Sequence, residues 1–286
     1  MTIAVTGATG HLGSLTIDAL LERVPVTDVI ALVRDTGKAA PLAARGVEAR
    51  HFDYDRPATL APALEGVDRL LLVSGNAVGH RIPQHRAVIE AATAARVPFL
   101  AYTSVLHADI ATGPVSPEHR ATEALLAEAP FEVALLRNGW YSENYVPTAQ
   151  QAAGTGEVLT SAGSGRVASA ARADYAAAAA AVLTSPQPRP GTYELSGDHA
   201  WGLAEFAEVV SGLTGREVHV RDVTPEEHLR LLVDAGVPEG GAQFVVGTDQ
   251  AISLGELADT PGTLSALIGR PTTPLADTLA PVLTQA

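Results

Sequence analysis

The sequence predicts a doubly wound α/β fold: a parallel sheet covered by helices on both faces, with a smaller C-terminal α/β lobe. Three observations predict it. Apolar, β-branched runs recur at residues 3–5, 29–33, 47–52, 70–73, 99–102 and 133–136. Helical periodicity follows them, as in Val88, Ile89, Ala92, Ala95 and in Ala121, Ala124, Leu125. The runs succeed one another at spacings of about 20 to 35 residues, the scale of strand–helix–strand units in a parallel sheet covered on both faces. In such a sheet, ligands sit beyond the carboxyl ends of the strands at the switch in strand order, so the residues just after each run are the informative ones.

The first run, Ile3 to Val5, leads directly into Thr6-Gly-Ala-Thr-Gly-His-Leu-Gly13, and Leu12, Leu15, Ile17, Ala19, Leu20 and Leu21 then follow with helical spacing. A strand, three glycines and a helix in that order suit a dinucleotide. Gly7 permits the tight turn, Gly10 lets the backbone approach a pyrophosphate and Gly13 lets the helix pack on the strand. Ala8, Thr9, His11 and Leu12 fill the same phosphate-facing loop, whose amide donors sit at a helix N-terminus. The expected domain is therefore Rossmann-like.

The second run ends in Arg34, 21 positions beyond Gly13. A 2′-hydroxyl would call for an acid there and a 2′-phosphate for an arginine, so Arg34 points to NADPH, with Lys38 as a second cation. Asp35 beside it either caps the next helix or opposes a phosphate; Arg34 as a plain solvated cation is the simpler alternative. Asp53 and Tyr54 end the third run, where an adenine border is expected, although Asp53 also suits a turn cap. Ser74, Gly75 and Asn76 end the fourth, beside the expected pyrophosphate and nicotinamide ribose, or form a plain glycine loop.

Thr103 and Ser104 end the fifth run, where a hydroxyl would meet nicotinamide or substrate. The following helix lacks a Tyr-x-x-x-Lys pair and carries Glu118, His119, Arg120 and Glu123 instead, so ordinary carbonyl reduction loses its acid. His119 with Glu123 is either a polar site pair or a surface i,i+4 pair. Arg137-Asn138-Gly139-Trp140-Tyr141-Ser142-Glu143-Asn144-Tyr145 follows the sixth run. Its aromatics can floor a flat ligand, and Asn144 or Tyr141 can polarise an acceptor carbonyl; Trp140 and Tyr145 can equally well pack the second lobe. Thr103 and Asn138 are assigned to the cofactor, and Ser104, His119, Trp140, Tyr141 and Asn144 to the substrate.

Beyond residue 150 the pattern loosens. An alanine-rich helix opens at Asp174 and ends near Thr184, its Ala176 to Ala181 run reading as close helix packing. A strand at 192–195 follows a proline-rich joint, then helices at 203–213 and 225–232 around a strand at 217–220. Residues 1–153 are expected to form the dinucleotide-binding domain, completed by parts of 171–196, and residues 154–286 the substrate-binding lobe.

The chain has 286 residues, no cysteine and a net charge of −13. Disulfides and thiolate metal sites are excluded, and an acidic chain without Lys/Arg clusters argues against a nucleic-acid partner. No stretch reads as a signal or a membrane span, so a cytoplasmic location is expected. His80, His85 and His107 have no metal-ligand spacing, so no metal is expected. No G-x-S-x-G elbow suggests a hydrolase.

With Thr6–Gly13, Val33-Arg34-Asp35, Ala101-Tyr-Thr-Ser104, Leu136–Tyr145, Ala171-Arg-Ala-Asp-Tyr175 and Leu267-Ile-Gly-Arg-Pro-Thr-Thr273 in order, the chain resembles the NmrA-like atypical short-chain dehydrogenase/reductases nearly end to end. Within them it is most similar to the type 2 NAD(P)H:quinone oxidoreductases and triphenylmethane reductases. The resemblance implies flavin-free reduction of a quinone by NADPH, with the substrate-site asparagine at Asn144. His11 departs from the glutamine of close relatives.

The expected protein is thus an NADPH-dependent oxidoreductase passing a hydride to a flat, electron-poor acceptor, most simply a quinone. Two alternatives remain open at this level: an NADP(H)-binding redox sensor without turnover, and a reductase of ketones, imines or enones using His119 or water as acid. Neither the substrate nor a homodimer is specified by the sequence.

Overall fold

The computed structural model describes residues 1–284. In chain order its regular elements begin with β1 (Ile3–Thr6), α1 (His11–Leu21), β2 (Val29–Val33), α2 (Ala40–Ala43), β3 (Glu48–His51), α3 (Leu60–Ala63), β4 (Arg69–Leu72), α4 (Arg81–Ala94), β5 (Phe99–Val105), α5 (Ser116–Ala127) and β6 (Glu132–Asn138). They continue with α6 (Val146–Thr155), β7 (Glu157–Thr160), β8 (Arg166–Val167), α7 (Arg172–Thr184), β9 (Gly191–Leu195), β10 (Trp201–Gly202) and α8 (Leu203–Thr214). The last are β11 (His219–Asp222), α9 (Pro225–Asp234), α10 (Glu239–Ser253), α11 (Thr263–Ile268) and α12 (Leu275–Leu283).

Two compact units result. Among the described residues the first comprises 1–108, 117–138 and 172–194, and the second 109–116, 139–171 and 195–284. The main stretch of the first ends at Asn138, not at residue 153, because the segment after β6 packs within the second unit, where the Tyr145 ring lies 4.7 Å from that of Trp201.

In the first unit the sheet order is β3-β2-β1-β4-β5-β6-β9, and the five pairings from β3 to β6 are parallel. Strand order reverses between β1 and β4, which defines the switch point. The pleat divides the core. Ala4, Ile30, Leu32, Leu70, Leu72, Leu100 and Tyr102 face α3, α4 and Leu126 of α5 in one buried cluster. The alternate residues Val5, Ala31, Leu71 and Ala101 are in register on the other face. There α1 and α7 run against each other, and Ala176, Ala178, Ala179 and Ala180 are buried, so the alanine run serves close packing. The third strand is shorter than its apolar run: Val47 and Phe52 are buried, but Glu48–His51 between them is a polar edge strand.

The second unit holds a parallel pair, β7 with β11, and an antiparallel pair, β8 with β10. Ala149, Ala152, Val158, Phe206, Val210, Ile252, Leu279 and Leu283 form its core. Tyr145, Trp201 and Phe206 pack as a ring cluster, with centroids 4.7 to 5.7 Å apart, each pair adding about 0.5–1.5 kcal/mol beyond its buried area. Four helices of this unit, α6, α10, α11 and α12, have no counterpart in the elements expected from sequence. Glycines and small residues blur their periodicity: α10 contains Gly240, Gly241 and Gly247.

Candidate functional site

At the switch point of the first unit, Gly7 takes a left-handed φ of 57°, turning the chain from β1 into α1. A Cβ on Gly13 would lie 2.2 Å from the Gly7 carbonyl oxygen, so only glycine lets α1 start this close to the strand. Gly10 occupies the N-cap and has no side chain with which to cap, and the first turn of α1 carries no acid. The first N–H groups and the positive end of the helix dipole are left facing a cleft of about 480 Å³.

Gly7, Thr9, Gly10, His11, Leu12 and Gly13 line this cleft on one side, Ser74, Gly75 and Asn76 after β4 on another. Arg34 and Lys38 line it beyond β2, both exposed and without an ion pair among the described residues. Asp35 does not oppose them as an idle charge: its Oδ1 accepts the Gly37 N–H at 2.9 Å and caps the short turn there. Asp53 both lines the cleft and holds its own turn, accepting the Asp55 N–H at 3.1 Å. Tyr54 closes the floor. Its hydroxyl donates to the Val73 carbonyl at 3.1 Å and lies 2.6 Å from the Thr6 hydroxyl, which accepts the Val73 N–H at 2.9 Å. Burial pushes the Tyr54 phenol well above its ordinary pKa, so it remains a neutral hydrogen-bonding group.

Ala8 is corrected: its side chain is fully buried and its N–H donates to Leu32, so it supports the turn without lining the cleft. Gln84 and Asp55 line the cleft and were not anticipated; they hydrogen-bond each other at 2.8 Å. No local pattern marks them.

The loop after β4 is pinned from behind. Both backbone groups of Gly75 are held by α4, the N–H by His85 Nε2 at 3.0 Å and the carbonyl by Arg81 Nε at 2.6 Å. Accepting from an amide fixes His85 as the neutral tautomer, whose Nδ1–H donates to Thr122 Oγ1 at 2.9 Å. Burial, and then the nearby Arg81 charge, lowers the His85 pKa to about 4.

His119 belongs to this same support. It is 3% exposed, its Nδ1 lies 2.8 Å from the Tyr102 hydroxyl and its Nε2 3.4 Å from Arg81, and burial with the Arg81 charge lowers its pKa to about 3. Both readings made for it are overturned: it is neither an exposed partner of Glu123 nor an available acid. The helix turns it onto the sheet at Tyr102, whereas Glu123 meets Ser104 at 2.6 Å and Arg137 at 2.6 Å.

Three further expectations change for the same reason. Ser104 is buried and donates to Glu123. Thr103 is buried and its hydroxyl accepts the Ser74 N–H at 2.9 Å, so it shapes the cleft loop without lining it. Asn138 is also buried, and its carbonyl accepts from Leu106. Strands β5 and β6 run to Val105 and Asn138, past the ends of their apolar runs, so these residues stand inside the sheet.

The second unit contains its own cavity, of about 490 Å³. Trp140 and Phe244 stack beside it with ring centroids 6.5 Å apart and 26° between planes. Asn144 lines it and is exposed, as does Tyr145, while Tyr141 does not and instead bridges Ala170 through its backbone. Trp140 thus combines the two roles open to it, packing and lining. His228 and Asp249, from α9 and α10, line the same cavity. Sequence gave no reason to join them. Among the described residues no group of three or more His, Cys, Asp or Glu could hold a metal, and no helix is long and apolar enough to cross a membrane.

The first-unit cleft, with uncapped helix amides opposite unpaired cations, is that of a dinucleotide-binding α/β protein. The chain belongs to the NAD(P)H-binding family, whose sequence pattern matches residues 7–186. Quinone oxidoreductase 2 of Escherichia coli (strain K12) is 45% identical over 278 residues, 97% of each chain. The crystal structure of an NADPH-dependent quinone oxidoreductase from the same species, complexed with NADPH, matches with a TM-score of 0.96, covering 98% of this chain and 99% of that one at 45% identity. That of Citrobacter sp. triphenylmethane reductase complexed with NADP(H) matches with a TM-score of 0.94 at 40% identity, covering 99% and 100%. The resemblance read from the motifs is borne out along the whole chain.

Proposed function

We propose that this protein reduces quinones with NADPH, without a flavin. The observation that carries the reading is the pair of unpaired cations, Arg34 and Lys38, lining the same cleft as the uncapped α1 N-terminus. It is supported by the 45% identity to a quinone oxidoreductase along nearly the whole chain. Bound NADPH supplies a hydride. The amides of residues 7–13 hold the pyrophosphate, and Arg34 with Lys38 holds the 2′-phosphate, where a guanidinium can pair with two oxygens at once. Asp53 and Tyr54 border the adenine, and the loop Ser74 to Asn76, pinned by His85 and Arg81, meets the nicotinamide half.

The acceptor occupies the second-unit cavity. Trp140 and Phe244 offer flat apolar surface to a flat ring, and the Asn144 amide donates to a carbonyl oxygen as negative charge develops there. A quinone is already a good hydride acceptor, so positioning and one such donor replace the Tyr/Lys acid that the chain lacks. An NADPH-oxidation assay over quinones, triphenylmethane dyes and simple carbonyls tests the reading. Turnover with quinones and not with carbonyls is expected; tight NADPH binding with no oxidation by any acceptor would reject it in favour of a sensor.

A further inference from the structure

The second-unit cavity contains a histidine held in a way that a packing residue does not need. Thr224 opens α9 by accepting the Glu227 N–H at 3.2 Å, and Pro225 takes the first helical position, which sets His228 one turn in, 1% exposed and on the cavity wall. Its Nδ1 lies 3.0 Å from Ser161 Oγ and 3.3 Å from Asp249 Oδ2. That carboxylate oxygen is itself anchored at the end of β7, accepting the Ser161 N–H at 2.7 Å and the Thr160 hydroxyl at 2.9 Å.

A serine, a histidine and an aspartate together suggest a hydrolytic triad, but the geometry excludes it. In a triad the serine and the carboxylate sit on opposite ring nitrogens. Here both meet Nδ1, so the serine cannot be deprotonated by a nitrogen whose hydrogen already points at the pair. Nε2 is left over, without a hydrogen-bond partner among the described residues, on a ring that lines the cavity holding Asn144 and Trp140.

We infer that His228 is the proton donor to the reduced acceptor, with Asp249 and Ser161 as positioning residues that hold its ring. The inference rests on the cavity being the acceptor site. A quinone that gains a hydride from reduced nicotinamide gains both electrons with it and becomes a hydroquinone mono-anion. Its phenolate oxygen then takes the proton from Nε2–H of the imidazolium. The N–H bond breaks with its electron pair left on nitrogen, the ring becomes neutral with Nδ1–H still held by Ser161 Oγ beside the Asp249 carboxylate, and solvent restores the proton. Of the other polar groups lining the cavity, Tyr145 is a poorer donor, because burial and the Asp249 charge both push its phenol pKa up. Glu143 and Asp249 are the acids there.

Acceptor chemistry separates this role from a structural one. A triarylmethane cation that gains a hydride at its central carbon ends neutral and needs no proton, whereas a quinone does. For His228→Gln the ratio of quinone to dye turnover should therefore fall at least tenfold relative to the unsubstituted protein. Asp249→Asn should shift the same ratio in the same direction by a smaller factor. Independently of turnover, cofactor-free protein should bind 4-nitrophenolate, read by its absorption shift, at least fivefold more weakly after His228→Gln. NADPH affinity serves as the check that each variant is folded. An unchanged ratio, or unchanged phenolate affinity, overturns the proton-donor role. Failure of the unsubstituted protein to oxidise NADPH with any quinone overturns the acceptor-site reading and this inference with it.

Discussion

An exposed guanidinium that no protein carboxylate holds can be recruited to a phosphate without breaking an existing ion pair. Arg34 is such a group, and Asp35, the nearest acid in sequence, is occupied by the Gly37 N–H. Arg34→Ala should weaken NADPH by about 10- to 150-fold, the worth of one charge-assisted contact, and leave NADH nearly unchanged. Titration of both dinucleotides checks this, and equal losses would remove Arg34 from the 2′-phosphate. Asn144→Ala should leave NADPH affinity intact and lower quinone turnover by about 10- to 1,000-fold, the upper end being what one well-placed oxyanion donor contributes. Single-turnover oxidation of bound NADPH at saturating quinone measures it; wild-type rates would exclude the amide. At this scale the sequence was a mixed guide. Gly10, Arg34 and Asn76, in the segments that follow β1, β2 and β4, line one cleft. His119 was misjudged because i,i+4 spacing shows which residues share a helix face, not whether that face meets solvent or a sheet.

The turn between β1 and α1 assigns separate duties to two glycines three residues apart. Gly13 faces the protein, where a Cβ would lie 2.2 Å from a carbonyl oxygen that cannot yield without moving the turn. Gly10 has only the Gly7 oxygen at 3.2 Å and is otherwise open toward the cleft. Gly13→Ala should therefore cost stability, about 1–3 kcal/mol as overpacking does, seen as a lower melting temperature. Gly10→Val should fold and fail to bind either dinucleotide; a folded Gly10→Val protein with unchanged affinity would limit the glycine to its turn. The inner strands of the sheet were legible because burial on both faces gives short apolar runs bounded by turn residues, whereas β3 at the edge keeps the polar stretch Glu48–His51. The helices of the second unit were less so. In α10, Asp249 owes its place to the strand end that binds its carboxylate, a contact across 88 residues that no local pattern records.

For the molecule as a whole, two buried imidazoles make folding sensitive to acid. His85 and His119 titrate near 4 and 3 when folded and near 6.5 when unfolded, the shift coming first from burial and then from Arg81. Below 6.5 the unfolded chain takes up protons that the folded protein refuses, so stability that is complete above that pH is lost as pH falls toward 4. At about 1.4 kcal/mol per pH unit of difference, the two groups together account for several kcal/mol. The melting temperature should decline steadily from pH 7 to 4.5, less steeply in His119→Asn; a flat profile would show that neither imidazole is buried neutral. The same network closes the account of what each level of description determined. The sequence alone determined the alternation of strands and helices, the glycine turn and the cations beyond β2, because strand burial, left-handed turns and strand-end positions follow from local chemistry. Only the tertiary structure decided that Ser104 and His119 support the sheet, that the segment after β6 belongs to the second unit, and that His228 meets Asp249. Those outcomes depend on which faces pack together, and side chains far apart in the chain become neighbours only when the cores that carry them close.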